Sequence, residues 1–283
     1  MHENKKLLID DGQFIIDPVT LPELDLHRLR MDVLRLDKIH PVISGNKWFK
    51  LKEYLDIAAS EGRRHLVTFG GAWSNHIIAT ACAAQQRGLS STGIIRGERP
   101  ATLSPTLLDA VYHGMQLDFI SRQEYGQKDQ PAFLNSLGAR YPDAIIIPEG
   151  GAGPPGIKGS MDILQKIDSS PYSHILCAVG TGTTCKGIMA AAAPGQEVIG
   201  ISVLTPPYHF GGYARHNQEL LDFMNSWYHS TGIPSDIVYT GKLFYAALDM
   251  TRKGFFPPGS RVLLIHSGGL QGNRSLTRGT LDF

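Results

Sequence analysis

The sequence predicts an α/β protein built on mostly parallel sheets that helices cover on both faces. Short apolar runs alternate with segments of helical periodicity along almost the whole chain of 283 residues. Such βαβα alternation is typical of parallel sheets. Strands that are apolar throughout, without alternating polar residues, are typical of strands buried on both faces. The length leaves open whether there are two α/β lobes or one large domain.

Eight apolar runs are predicted to form strands, and helical patterns separate most of them. One helix is predicted after Gly45, with a stop at Gly62, and another from Ser74 through an alanine-rich segment. The glycine- and proline-rich segment 150–156 is the clearest break in composition and suits a return point between two lobes. The predicted strands are residues 32–36, 65–69, 93–96, 117–120, 144–147, 175–179, 198–203 and 262–265.

Composition argues against several classes of function. The chain has 27 basic and 26 acidic residues, so no nucleic-acid partner is expected. It shows neither a secretory leader pattern nor a long uncharged apolar stretch, which argues against secretion and against a membrane partner. Three cysteines without a CxxC pair fit a reducing cytoplasm, and the histidines show no metal-ligand spacing, so no metal is predicted. The cysteines are Cys82, Cys177 and Cys185.

The strongest motif is a glycine- and threonine-rich loop between a predicted strand and an alanine-rich helix. Its glycines let backbone N–H groups converge, its threonines add hydroxyl donors, and the start of the helix favours an anion. The alternative, a purely structural turn, would need one glycine rather than a cluster. The predicted phosphate-binding residues are Gly180, Thr181, Gly182, Thr183 and Thr184.

The surroundings of this loop narrow the choice of phosphate. A Walker A loop ends in Gly-Lys-Ser/Thr, whereas this chain has Cys185-Lys186-Gly187. A dinucleotide-binding loop would have glycine or alanine at Cys185 and an acidic residue after the next strand, where residues 202–204 offer none. A compact phosphate monoester fits best.

Lys47 is the candidate nucleophile. It follows Gly45-Asn46 and starts an amphipathic helix, whose positive end is a poor place for a merely structural cation. Desolvation and nearby positive charge lower the pKa of an amine and make it more nucleophilic. The alternative is a solvated charge, and Lys50, one turn further on, is predicted to face solvent.

A glycine turn at residues 70–76 leads into the next helix. Its free N–H groups and the Ser74 hydroxyl can hold a substrate carboxylate. The alternative is an ordinary helix cap followed by a packed histidine, His76.

Two further loops, residues 238–242 and 265–269, are predicted to follow strands. Their hydroxyl side chains, Tyr239, Thr240 and Ser267, suit contacts to a polar aromatic ring. The alternative is an ordinary surface loop in each case, and His266 is interpreted equally well as a structural or as a catalytic residue.

These five segments, in this order, resemble those of the 1-aminocyclopropane-1-carboxylate deaminase and D-cysteine desulfhydrase family. The resemblance extends from about residue 32 to residue 269 and implies the two-lobed, tryptophan synthase β-like fold of type II pyridoxal-phosphate enzymes. It implies a larger cofactor-binding domain of residues 1–48 and 147–283 and a smaller α/β domain of residues 49–146. It also implies an active site in the cleft between them, and a homodimer.

The resemblance further implies a role for each matching residue. Lys47 would form the Schiff base with pyridoxal 5'-phosphate, whose phosphate would lie on residues 180–184. Asn75 would contact the ring hydroxyl. The residues that would meet the substrate are Ser74, at its carboxylate, Asn75, His76, Tyr239 and Ser267.

Two positions of the second pair of loops separate the family's activities. Tyr239 matches an active-site tyrosine near the ring and the substrate, and Thr240 matches the partner of the pyridine nitrogen. The deaminases have glutamate and leucine where this chain has Thr240 and Ser267, and the desulfhydrases have hydroxyl residues at both places. A carboxylate keeps the pyridine nitrogen protonated for opening a carbon–carbon bond, whereas expelling a thiolate needs less of this electron sink.

The sequence therefore predicts a pyridoxal-phosphate-dependent lyase/deaminase, similar to D-cysteine desulfhydrase. It would act on a small amino acid to release a 2-oxo acid, ammonia and a leaving group such as sulfide. Lys47, Ser74 and Tyr239 are the predicted catalytic residues, with Lys47 as the base and Tyr239 as an assisting acid or base. Alternatives are a 1-aminocyclopropane-1-carboxylate deaminase and a non-catalytic protein that binds a phosphate ligand.

The chain departs from the family at two places near the expected carboxylate pocket. Trp73 stands where glutamine is common, and residues 77–79 read Ile-Ile-Ala in place of a segment with Arg-Gln.

Overall fold

The computed structural model describes residues 14–283, which form two compact units. The small unit is Lys47–Gly159, and the large unit consists of residues 14–46 together with Ser160–Phe283. Residues 1–13, which were predicted to belong to the larger domain, lie outside the described residues.

Strands and helices alternate along both units. In chain order they are β1 (Ile16–Val19), α1 (Pro22–Leu26), β2 (Arg30–Arg35), α2 (Asn46–Ser60), β3 (His65–Gly70), α3 (Asn75–Arg87), β4 (Ser90–Arg96), α4 (Pro105–Tyr112), β5 (Met115–Ile120), α5 (Arg122–Tyr125), α6 (Pro131–Arg140), β6 (Ala144–Ile147), α7 (Pro154–Gln165), β7 (His174–Val179), α8 (Thr183–Ala191), β8 (Glu197–Ser202), α9 (Gln218–Thr231), α10 (Thr240–Arg252) and β9 (Arg261–His266). Short 3-10 turns occur at Leu36–Lys38, Glu149–Gly151 and Leu270–Ser275.

The small unit contains a four-stranded sheet in the order β5-β4-β3-β6, and all of its strand pairs are parallel. Successive side chains of a strand point to opposite faces of the sheet, and here both faces are covered by apolar side chains. Ile95 packs with Ile77 and Leu107 on one face, while its neighbour Ile94 packs with Phe69 on the other. This explains why these strands read as continuous apolar runs.

The large unit contains a five-stranded sheet in the order β1-β2-β9-β7-β8. Only β1 is antiparallel, and it pairs with β2 at one edge. Alternate residues of the central strands, such as Val33, Leu176 and Leu264, pack with Phe244 and Leu243 of α10 in one large apolar cluster. Burial of this cluster, at about 25 cal/mol per Å² of apolar surface, is the main force that holds α10 to the sheet.

The predicted fold class, mostly parallel sheets flanked by helices, is confirmed. Each of the eight predicted runs contains a strand, although Leu36 lies in a 3-10 turn and Val203 lies beyond β8. β1 was not predicted. Among the described residues, no helix combines the length and apolar character that crossing a bilayer requires.

The parallel register brings several predicted loops to one edge of the large unit's sheet. Leu176 pairs with Leu264, and Arg35 pairs with His266, so β2, β9 and β7 end side by side. The carboxyl edge of a parallel sheet is where α/β proteins bind ligands.

Candidate active site

Three sequence motifs meet at the carboxyl edge of the large unit's sheet. The Asn46 side chain donates a hydrogen bond to Thr184 Oγ1 at 2.8 Å, and its backbone N–H donates to the Ser267 carbonyl at 3.1 Å. Asn46 is buried. Asn46 immediately precedes Lys47 in the chain. It therefore bonds both to the phosphate-loop motif and to the motif at residues 265–269.

Gly45 is required for this close approach. Its φ is +67°, and a Cβ atom there would overlap the Ser267 carbonyl oxygen. A side chain at this position would push the start of α2 away from the sheet edge, because backbone atoms cannot yield as a flexible side chain does.

The predicted phosphate loop has the form expected of an anion site. It leaves β7 and enters α8 through Gly182, whose φ is +79° and whose position carries no side-chain cap. The Thr181 and Thr183 hydroxyls lie 3.1 Å apart. Because the first N–H groups of a helix lack intrahelical partners, the start of α8 presents donors and the positive end of its dipole to a ligand.

Tyr239 lies over this loop. A Cβ on Gly180 would lie 3.1 Å from Tyr239 Cε1 and 3.3 Å from its hydroxyl oxygen. The missing side chain of Gly180 thus lets the phenol approach the loop backbone. The Tyr239 hydroxyl also lies 3.5 Å from that of Tyr213.

Lys47 is the second residue of α2 and is half-buried. Lys50 was predicted to face solvent, and this prediction is wrong: it is only 4% exposed, and its Nζ donates to the Gly150 carbonyl at 3.2 Å. The turn at Glu149–Gly151 supplies this acceptor, which a helical pattern alone does not reveal.

The prediction that Tyr239 and Thr240 follow a strand is also wrong. Residues 232–239 contain no strand, and Thr240 is the first residue of α10. The cause is Asp236, whose carboxylate accepts hydrogen bonds from the backbone N–H groups of Val238, Tyr239 and Thr240 at 2.9–3.0 Å. This buried carboxylate caps the helix and was missed in the sequence.

The Thr240 hydroxyl makes two hydrogen bonds, both with Asp236. It donates to Asp236 Oδ1 at 2.7 Å and accepts from the Asp236 N–H at 2.7 Å. Thr240 and Asp236 are each 0% exposed. The hydroxyl predicted to meet the pyridine nitrogen therefore has no accessible surface here, whereas Ser267 retains 8% exposure.

His266 is a structural residue. It is fully buried, its Nε2 lies 2.8 Å from the Pro234 carbonyl, and its Nδ1 accepts from the Gly268 N–H at 3.2 Å. Nε2 must therefore carry the proton. Burial lowers the pKa of His266 more than the Asp37 carboxylate, 3.5 Å from Nδ1, raises it.

The motif at residues 70–76 lies in the small unit, where β3 leads into α3. Ser74 is the N-cap, and its hydroxyl oxygen accepts from the Ile77 N–H at 3.4 Å. His76 is buried and contacts the Thr68 hydroxyl at 2.8 Å. The cap and the packed histidine expected under the alternative interpretation are both present, and Ser74 and Asn75 stay half-buried.

The residues around this motif that depart from the family's pattern, Trp73 and residues 77–79, differ in their exposure to solvent. Ile77 and Ile78 are buried, at 0% and 2% exposure, and Ile77 belongs to the small unit's core. Trp73 is 40% exposed. The isoleucines are thus explained by packing, and Trp73 is the departure that can still contact a ligand.

Known proteins similar to this chain carry the names of two activities. It is 28% identical over 273 residues to a protein of Pyrococcus horikoshii named putative 1-aminocyclopropane-1-carboxylate deaminase, with 81% of each chain covered. It is also 28% identical over 280 residues to a mitochondrial protein of Arabidopsis thaliana, covering 81% of this chain and 70% of that one. The latter is named bifunctional D-cysteine desulfhydrase/1-aminocyclopropane-1-carboxylate deaminase. No family model matches the chain.

A solved structure described as that of an ACC deaminase homologue superposes with a TM-score of 0.79. It is 25% identical and covers 96% of this chain and 97% of its own. These similarities confirm the resemblance predicted from the five motifs, together with the fold and the enzyme class. The roles of the individual site residues, and a cleft between the domains, stay predictions.

Proposed function

We propose that this chain is a pyridoxal-phosphate-dependent lyase/deaminase that removes the β-substituent of a small amino acid, as a D-cysteine desulfhydrase does. The products would be a 2-oxo acid, ammonia and sulfide. The observation that carries the proposal is the position of Asn46, which bonds to Thr184 and to the Ser267 backbone. This anchoring fixes the residue before Lys47 beside an uncapped, glycine-rich helix start.

The residues present fit the cofactor. Gly182 at positive φ and the first turn of α8 suit its phosphate monoester. When bound, pyridoxal phosphate supplies an aldehyde for an amine and an electron sink for charge that forms at the substrate Cα.

The chain's own residues would provide the amine and the proton transfers. Lys47 would hold the cofactor through its aldehyde and, as a free amine, would take the Cα proton of the substrate. The Tyr239 hydroxyl lies close to the loop backbone at Gly180, and in this proposal it would give a proton to the leaving thiolate. Ser74, Asn75 and His76 are proposed to meet the substrate, with Ser74 at its carboxylate.

Ser267 is the better-placed hydroxyl for the pyridine nitrogen. Thr240 has no accessible surface and already bonds to Asp236, whereas Ser267 keeps accessible surface at the end of β9. Thr240 then contributes by fixing the start of α10 and so the position of Tyr239. With a hydroxyl instead of a carboxylate at the nitrogen, thiolate elimination is favoured over opening of the cyclopropane ring.

Lys47→Ala tests the covalent step. We expect the loss of the absorption band that borohydride reduces, and a fall in turnover of at least about 10³-fold, because the nucleophile and the base are the same amine. Lys50→Met, which removes the buried amine one turn further along α2, is the matched control and should keep the band. A Lys47→Ala protein that retains both the band and full turnover contradicts the proposal.

A substrate panel tests the reaction. Pyruvate, ammonia and sulfide should appear together from D-cysteine, with slower 2-oxo acid release from L-cysteine, D-serine and 1-aminocyclopropane-1-carboxylate. Fastest turnover of the cyclopropane would instead favour the deaminase. A colourless protein that binds a phosphate ligand without turnover would favour the non-catalytic alternative.

We also infer a cytoplasmic homodimer. The three cysteines are free thiols, which suits a reducing compartment. In α4, Leu108, Val111 and Tyr112 share one face at helical spacing and are 52%, 47% and 82% exposed. A contiguous apolar face of this kind suits a subunit contact, and Tyr112→Asp should yield monomers in sedimentation velocity.

A further inference from the structure

The segment between β8 and α9 contains two consecutive turns that share Gly212. The Gly212 N–H donates to the His209 carbonyl at 3.0 Å, and the Arg215 N–H donates to the Gly212 carbonyl at 3.2 Å. The carbonyl that closes each turn also accepts a hydrogen bond from Lys242 Nζ, at 2.7 Å and 2.8 Å. One amine of α10 therefore holds both halves of this double turn, residues 209–215.

The backbone of the double turn is strained. The angle φ is +49° at Phe210 and +54° at Ala214, and both values lie in the left-handed region that side chains disfavour. Such a conformation persists where surrounding contacts fix it. The Tyr245 ring of α10 packs edge-on against Phe210, with centroids 4.9 Å apart. Further along α10, Asp249 accepts from the Tyr208 hydroxyl at 2.7 Å.

Lys242 is the buried member of this set of contacts. Lys242, Tyr245 and Asp249 share one face of α10 at helical spacing, and Lys242 is 0% exposed. Burying an amine is costly unless its hydrogen bonds are made. An uncharged side chain of similar length would fill the same space without that cost, so the presence of an amine indicates that its two hydrogen bonds are needed.

The residue that the double turn presents is Tyr213, which directly follows Gly212 and is 49% exposed. Its ring centroid lies 6.1 Å from that of Tyr239, with the planes 72° apart, and the Tyr239 hydroxyl donates to the Tyr213 hydroxyl at 3.5 Å. Tyr239 is the residue before α10. The same helix thus carries one tyrosine at its start and holds the other through Lys242.

We infer that Lys242 is a positioning residue for the pair formed by Tyr213 and Tyr239. By binding the His209 and Gly212 carbonyls, Lys242 fixes the turn that carries Tyr213, and so keeps the Tyr213 hydroxyl beside that of Tyr239. The Tyr213 hydroxyl then orients the phenol that the proposed function assigns to proton transfer. The inference rests on the proposed function for this last step alone.

The position of Tyr213 can be followed without an assay of activity. The full-length protein is labelled with 3-fluorotyrosine, and the Tyr213 resonance in the 19F spectrum is assigned by its absence in Tyr213→Phe. In Lys242→Met we expect this resonance to move toward its position in the urea-unfolded protein, because the carbonyls on both sides of the turn lose their shared donor.

Two further variants separate this role from general loosening of the helix. Leu243, the next residue of α10, is also fully buried but packs into the apolar cluster on the sheet, so Leu243→Ala should lower the melting temperature and leave the Tyr213 resonance in place. Gly212→Ala perturbs the turns and leaves Lys242 intact. The angle φ at Gly212 is +121°, and a Cβ there would meet open space, so the backbone alone resists the change. Here the resonance should move as in Lys242→Met.

A comparison of single and double variants tests whether Lys242 acts through Tyr213. Tyr213→Phe should lower kcat for 2-oxo acid release about fivefold, which is the usual value of one neutral hydrogen bond. Lys242→Met should lower kcat by a similar factor. The double variant should lose no more than either single variant, because both substitutions remove the same contact.

An unmoved Tyr213 resonance in a folded Lys242→Met protein overturns the inference, as does an equal displacement in Leu243→Ala or an additive loss of kcat in the double variant. If Lys242→Met does not fold, an unmoved resonance in Gly212→Ala overturns it instead. If the proposed function were wrong, the unsubstituted protein would show no turnover, but the resonance would still move in Lys242→Met. The two failures are therefore distinguishable.

Discussion

Two helices that follow parallel strands begin in different ways in the two units. In the small unit, α3 begins with Ser74, whose hydroxyl oxygen accepts from the Ile77 N–H. In the large unit, α8 begins with Gly182 at positive φ, and no side chain caps it. Because the first turn of every helix has N–H groups without intrahelical partners, α3 provides its own acceptor and α8 does not.

The difference separates a loop that provides its own acceptor from one whose first-turn donors have no side-chain cap, as the prediction of a phosphate site requires. A glycine turn followed by a serine cap is complete without any ligand. A glycine turn with threonines and no cap leaves donors for an external anion. The same comparison extends to α10, where the Asp236 carboxylate accepts from the N–H of Thr240, the first residue of the helix, and from the two N–H groups before it.

The largest effect is expected at the start of α10. Lys242, in its first turn, is fully buried, and its Nζ donates to the His209 and Gly212 carbonyls at 2.7 and 2.8 Å. Burial lowers the pKa of Lys242 to about 8. Between about pH 8 and pH 10.4 the Lys242 amine is therefore protonated in the unfolded chain and deprotonated in the folded chain.

It follows that the free energy of unfolding should rise with pH in this window. For one proton the gain relative to Lys242→Met is about 2–3 kcal/mol by pH 10.4. Urea unfolding of both proteins at pH 7.5 and pH 10.4 measures it, and the variant cancels the contributions of other groups. A difference between the two proteins that does not change with pH would refute the titration.

A smaller effect is expected from Gly182→Ala. The positive φ of Gly182 disfavours a side chain by about 1–2 kcal/mol. The loop should lose its anion geometry, and affinity for pyridoxal phosphate should fall about tenfold or more in an absorbance titration. Gly195→Ala is the matched control, because its φ is +89° and its Cβ would also meet open space. Equal loss of affinity in both variants would contradict the phosphate assignment.

The smallest effect is expected from Ser74→Ala. Loss of the cap should cost about 1 kcal/mol of stability and raise the KM of the amino acid without altering cofactor affinity. Ser121→Ala removes a comparable cap from α5 in the same unit and should change stability alone. If both variants raise KM equally, Ser74 has no contact with the substrate.

Much of the fold follows from local pattern. Buried strands such as β7 were predicted because a continuous apolar run bounded by turn residues, here Pro171 and Gly180, leaves few alternatives. β1 was missed because its sequence, Ile-Asp-Pro-Val, is short and carries a proline that only an edge strand tolerates.

The site was predictable where sequence neighbours create it, and not where distant residues do. The loop at 180–184 contains its own glycines and threonines, so its form was visible. The burial of Lys50 depends on Gly150, a hundred residues away. The occupied hydroxyl of Thr240 depends on the backbone turn that brings Asp236 back onto the helix start, which composition does not encode.

Gly45 has a consequence for how this protein can vary. In a library randomised at that position, every replacement should displace Asn46 and the start of α2, because the carbonyl of residue 267 fills the volume of even a methyl group. Gly62 has nearly the same φ, +65°, but nothing within 4 Å, so asparagine should be accepted there. Selection for folded variants at these two positions would thus show, without any assay of chemistry, that the backbone beside residue 45 requires glycine and that the backbone beside residue 62 does not.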